Sequence, residues 1–297
     1  MDAGNWLGLL KWSLAQTNDG TVPSEITPMT EEDKKWLEQV MREAVKDEPK
    51  RMNEIMNEFV KMLEDGLTHD QSEQVLELLD ELRFMVEQVD MAQVFAKFGG
   101  FQCLLGLVEC VSISDEARAL SASTLAALTQ NNLTVQEIAL NMGMLDRLAK
   151  VYVTSESAIL CNKVLYALSC SVRNHQAAEE YFMLHFADKV LPKAISGLES
   201  PAALSENPAA EGLVSRALFL TDALITSDFS SPARVSKLQS LVLPLARVGL
   251  EYESIALRET TENMFLSLNK VTQQAQEQGT QTTCSDSAPA APTMMLK

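Results

Sequence analysis

The chain has 297 residues, 46% of them hydrophobic, and carries 41 acidic against 24 basic side chains, a formal net charge of −17 at pH 7. That length and apolar content supply a large core without staples, and the negative charge argues against nucleic acid or an anionic membrane as the main ligand. The cysteines Cys103, Cys110, Cys161, Cys170 and Cys284 are odd in number and include no C-x-x-C pair. They read as reduced thiols of a cytosolic or nuclear protein, and the location expected is cytoplasmic.

Taken in chain order, the first element is an apolar segment, Trp6, Leu7, Leu9, Leu10, Trp12 and Leu14, that breaks into a polar loop by Asn18. Asp2 and Lys11 spoil the pattern of an export signal, and the run is far short of the roughly 20 apolar residues a membrane span needs. An isolated helix this short is marginal in water, so the segment is expected to dock on something. Residues 1–27 are therefore set apart as a mobile N-terminal segment. After Pro28, Thr30 followed by Glu31, Glu32 and Asp33 resembles a capping box, and Trp36, Leu37, Val40, Met41, Ala44 and Val45 mark one helical face. A second helix begins near Pro49 with Met52, Ile55, Met56, Phe59, Val60 and Leu63 at helical spacing. It stops at Asp65-Gly66, and Thr68 with Gln71 caps the next helix. Residues 28–66 form an N-terminal helical pair. These methionines, with Met62, Met85 and Met91, read as core packing rather than a binding face.

From residue 67 to 272 one phrase recurs: an apolar helix, a polar end, then the next helix. "LLDELRFMVEQVDMA", "TLAALTQNNLTVQE", "VLYALSCSVRNHQAA" and "LTDALITSDFSSPA" carry anchors at Leu82, Leu128, Leu168 and Leu224, with a weaker fifth at Leu268. The intervals are 46, 40, 56 and 44 residues, and the long one contains a loop-like insertion, "SGLESPAALSENPAAEG", at residues 196–212. The remaining period of roughly 40–47 residues is that of HEAT and armadillo units. Further helix starts at "FGGFQCLLGLVE", "NMGMLDRLAKVY", "HFADKVLPKAI" and "LQSLVLPLARVGL" make three helices per unit, which favours armadillo. No alternating pattern supports a sheet. The fold class expected is all-α, a right-handed α-solenoid of four to five armadillo-like repeats behind an N-terminal helical segment. The tail from 273 to 297, rich in Gln, Thr, Ser and Pro, reads as disordered.

Stacked repeats present a long concave surface. The period places Asp80, Ala126, Gln130, Tyr166, Cys170 and Asp222 along its inner helices, a mixed and mostly polar lining. Chemistry is otherwise scarce. His69, His175 and His185 have no metal-ligand spacing, and no phosphate-cradling or nucleophile-elbow motif occurs, so no metal, no cofactor and no enzymatic activity are expected. His175 in "RNHQ" reads as a hydrogen-bonding residue between repeats.

Several phrases together resemble one family: "LLKWSLAQ" near the start, "PMTEEDKKWLEQVM" at 28–41, "EQVDMAQVFAKFGG" at 87–100, "LTQNNLTVQEIALNMGMLDRL" at 128–148 and "LYALSCSVRNHQAA" at 165–178. They are similar to the Fes-type nucleotide exchange factors, a family that includes the heat-shock-protein-70-binding protein, over most of residues 7–250. The resemblance implies a cytosolic co-chaperone that grips the nucleotide-binding domain of heat-shock protein 70 in its armadillo groove and releases ADP. It places Ala92 of "DMAQ" and Arg216 of "VSRALFL" among the gripping residues, with Ala92 facing outward. An inter-helix salt bridge is the structural reading of Arg216. For the segment bearing Leu9, Leu10 and Trp12 two readings stand: a peptide directed at the chaperone's client site to promote client release, or a helix packed on the armadillo body. A monomer is expected. An armadillo scaffold binding an extended peptide, with no effect on nucleotide, is the alternative function.

Overall fold

The computed structural model describes residues 31, 32, 34–36 and 48–285, with side chains through 274. The chain divides into two units, Met1–Arg51 and Met52–Lys297, and the helical ladder belongs to the second. Leu9, Leu10 and Trp12, and most of the helical face from Trp36 to Val45, lie outside the described residues.

Among the described residues every regular element is helical. The first, α1 (Glu48–Asp65), buries Met52, Ile55, Phe59 and Met62 at the spacing read from the sequence and ends at Gly66, whose φ of +86° is left-handed. Thr68 N–H then donates to Gln71 Oε1 at 3.0 Å, the expected cap, and leads into α2 (Ser72–Val86). Two complete units come next: α3 (Val89–Lys97), α4 (Gly100–Glu109) and α5 (Asp115–Thr129), then α6 (Leu133–Asn141), α7 (Met144–Thr154) and α8 (Ala158–Val172). A third contains α9 (Gln176–His185), α10 (Ala187–Ile195), the short α11 (Pro201–Ser205) and α12 (Pro208–Thr226). The chain closes with α13 (Pro232–Ala246) and α14 (Ile255–Ser285).

The long helices α2, α5, α8, α12 and α14 pack side by side as consecutive rungs, with the shorter helices stacked against them. The five anchor leucines fall on these five rungs, and all are buried, from 0% exposed at Leu82, Leu128, Leu168 and Leu224 to 5% at Leu268. Local chemistry sets the joints. Ser114, Asn132, Ser157, His175, Asn207 and Ser231 each accept a backbone N–H three residues on, satisfying donors that a helix start leaves free. Gly99 and Gly143 precede α4 and α7 at φ of +84° and +70°, where a side chain would be strained.

Three expectations need correction. The insertion at 196–212 is not one loop: it holds a 3₁₀ turn, α11 and the first turn of α12, because Asn207 and Pro208 are a cap and an N1 proline. The fourth unit does not break at "LQSLVLPLARVGL"; with no glycine ahead of Leu238, α13 continues as one helix from Pro232 through Ala246. The last helix runs to Ser285 rather than yielding at 272, since Gln, Glu and Ala lack apolar mass for a core but are good helix formers extending a packed helix.

Candidate partner-binding groove

Residues from three consecutive rungs meet on the solvent side of the ladder. Tyr166 of α8 donates its hydroxyl to Gln130 Oε1, just past the end of α5, at 3.1 Å. Arg216 of α12 lies over the Tyr166 ring, 4.2 Å from guanidinium carbon to centroid, and donates Nε–H to Asn162 Oδ1 at 2.5 Å. The salt-bridge reading of Arg216 is thus wrong: among the described residues no carboxylate pairs with it, and it is held flat by a ring and a neutral amide. Both are orienting contacts that leave the terminal nitrogens of Arg216 unspent. Gly212, one turn earlier on α12, makes room for this arrangement, because a Cβ there would stand 2.8 Å from Asn162 Nδ2.

A second arginine repeats the motif. Arg173, at the C-terminal end of α8, stacks 4.9 Å from the centroid of Phe219, which is half exposed on α12. Its Nε–H donates to the Ser169 carbonyl at 3.3 Å. Beneath lies Cys170, buried, with its thiol pushed above its ordinary value first by burial, opposed by Arg173. The thiol therefore stays protonated at neutral pH and is no nucleophile. Burial likewise raises the Tyr166 phenol, against the nearby Arg216 and Arg83 charges. Lys163 is pushed down by its half-burial, then by Arg216 and Arg83.

Of the residues read from the sequence, the structure brings Gln130, Tyr166 and Arg216 into one cluster. Asp222 is half-buried on α12, with Oδ1 buried and lacking a hydrogen-bond partner among the described residues. Asp80 is exposed on α2, outside that cluster. Ala126 and Cys170, inner by period, are buried at 0% and 2%. Ala92 does not face outward. It is 2% exposed on the face of α3 that also buries Phe95 and Ala96, the i, i+3, i+4 stripe that packs α3 into the core. His175 does join repeats, with Nδ1 accepting from Ala178 N–H at 3.2 Å and Nε2 2.9 Å from Glu137 Oε2. Asn162, Lys163, Arg173 and Phe219 were missed. Arg216 and Phe219 are three apart on one helix, a signal in hand, but the contacts across 54 residues to Asn162 had none.

The rungs and the three-helix units define an armadillo-type α-solenoid. A designed armadillo repeat protein in complex with the peptide (KR)4 is similar over 80% of this chain and 95% of its own, with a TM-score of 0.51 and 12% identity. The family model for the nucleotide exchange factor Fes1 matches residues 7–94, and that for the SIL1/FES1/HPBP1 C-terminal domain matches residues 91–227, ending where α12 ends. The chain belongs to this Fes1-type family. Hsp70-binding protein 1 of Rattus norvegicus is 28% identical over 204 residues, and that of Homo sapiens 27%, in each case 64% of this chain and 55% of the relative. The chain thus spans about half the length of the curated relatives it matches.

Proposed function

We propose that this protein is a nucleotide exchange factor for a cytosolic heat-shock protein 70, holding one lobe of its nucleotide-binding domain against the ladder so that ADP leaves. The observation that carries the reading is the Gln130–Tyr166–Arg216–Asn162 chain in a member of the Fes1-type family: a side-chain surface that spans three rungs and is oriented before any partner arrives. Preorganised groups lose less conformational entropy on binding. Exchange then needs no reacting residue. A protein that prefers the open chaperone weakens ADP binding by the same factor by which ADP weakens its own, because linkage is reciprocal. The protein acts as a monomer without enzymatic turnover, and the segment of Leu9, Leu10 and Trp12 promotes client release.

The test is stopped-flow release of labelled ADP from purified chaperone as the protein is titrated. Release accelerates with concentration and saturates, and Arg216→Ala raises the half-saturating concentration by roughly tenfold, the loss of one charged hydrogen bond of about 1.5 kcal/mol. A flat release rate overturns the proposal and leaves a peptide-binding scaffold.

A further inference from the structure

The half-buried basic side chains from Arg83 to Arg258 fall into three kinds. Arg83, Arg118, Arg147, Lys193, Arg234 and Lys237 are each paired with a carboxylate. Arg258 gives its N–H groups to the carbonyls of Tyr252 and Glu253. Lys163, Arg173 and Arg216 have no carboxylate partner among the described residues, and all three lie on α8 and α12 in the groove. The chain has acids in surplus, yet none of the described ones pairs with these three.

Two of the three, Lys163 and Arg216, are close enough to repel. Burial lowers both Lys163 and Arg216, and Arg216 and Arg83 then push Lys163 down further. Like charges held together in partly desolvated positions repel, and repulsion costs stability unless a ligand supplies the opposite sign. The ring faces of Tyr166 and Phe219 hold the guanidinium planes of Arg216 and Arg173; the terminal nitrogens of Arg216 have no partner among the described residues, and Arg173 gives one of its own only to the Cys170 sulfur, at 3.9 Å. This leaves planar forks of the kind that bind carboxylates in pairs.

We infer that Lys163, together with Arg216 and Arg173 seated on Tyr166 and Phe219, forms a cradle for acidic side chains of the chaperone, so the groove recognises negative charge although the protein itself is strongly negative. This rests on the reading of the groove as the chaperone grip. Repulsion elsewhere on the two surfaces then opposes any other docking pose, which makes the cradle a determinant of orientation.

Two probes, both used with the full chain, separate the cradle from that reading. The first is fluorescently labelled octaglutamate, with octalysine as its control. At 50 mM salt octaglutamate binds, and the Lys163→Gln/Arg173→Gln pair weakens it at least tenfold. Arg173→Lys, which keeps the charge, recovers most of the loss, and raising salt to 300 mM weakens wild-type binding as screening shortens. Tighter binding of octalysine than of octaglutamate, as bulk charge alone dictates, overturns the inference. So does an undiminished octaglutamate affinity in the double variant. The second probe is the purified nucleotide-binding domain, for which the same variants lose affinity and flatten the salt dependence. If the domain binds but the variants match wild type, the cradle lies off the interface and the inference fails. If octaglutamate behaves as stated but the domain does not bind, the cradle stands and the exchange-factor reading falls.

Discussion

Replacing Ala92 with arginine tests where α3 sits. The alanine is 2% exposed, and the face it shares with Phe95 and Ala96 packs with α2, α5 and α6. A guanidinium and its three methylenes have no space there, and overpacking of a filled core costs typically 1–3 kcal/mol. A buried charge without a partner adds several kcal/mol more. The sum, about 5 kcal/mol, rivals the whole stability of an ordinary domain, roughly 5–15 kcal/mol. At about 2–4 °C per kcal/mol for a unit of this size, the midpoint should fall by roughly 10–20 °C. Circular dichroism melts and urea titrations read this directly, with Ala92→Ser as the small control, expected to lose only a little. ADP release should fail in step with folded fraction rather than before it. A variant melting within 2 °C of wild type while losing chaperone binding would refute the burial argument and return Ala92 to the surface, as the family resemblance implied.

Gly212→Ala should separate stability from binding: the helix gains about 1 kcal/mol of propensity, while the new Cβ displaces Asn162 and with it Arg216, so the melt holds or rises as chaperone affinity falls. Arg234→Ala removes the partner of Glu179, itself 1% exposed and bonded also by Ser227 and the Asn174 N–H, and should cost about 3–5 kcal/mol in a urea titration. Burial raises the thiols of Cys103, Cys161 and Cys170 above their ordinary value of 9.0. The unfolded chain therefore loses these protons first: their contribution is fully present below about pH 8.5 and declines as pH climbs through the raised values, which a melt series from pH 7 to 10.5 would show as a falling midpoint. Leu9, Leu10 and Trp12 replaced together by serine should leave ADP release unchanged and slow client-peptide release in ATP. Normal client release in that variant would remove the segment from the mechanism.

Much of the architecture was legible because it is local. Helical periodicity, the cap at Thr68 and Gln71, and the glycines at 99 and 143 depend on residues within a turn or two, and the recurrence of Leu82, Leu128, Leu168, Leu224 and Leu268 displays the stacking. Periodicity names the stripe of a helix but not its neighbour. Ala92 illustrates the gap, since a small residue beside Met91 and Asp90 fits a close contact with a partner and a close contact with the core equally well. The helix "PAAEGLVSRALFL" illustrates another: Pro, Gly and Asn marked a loop, yet the same residues serve as cap, N1 position and clearance for Asn162. The groove chemistry was settled only by tertiary structure. Asn162 and Arg216 are separated by 54 positions across the interval with the insertion, so their meeting depends on the register in which α12 packs on α8. The charge total of −17 could not disclose three cations without carboxylate partners on one face, because net charge is a sum over the chain, whereas electrostatic work depends on the distances that folding sets.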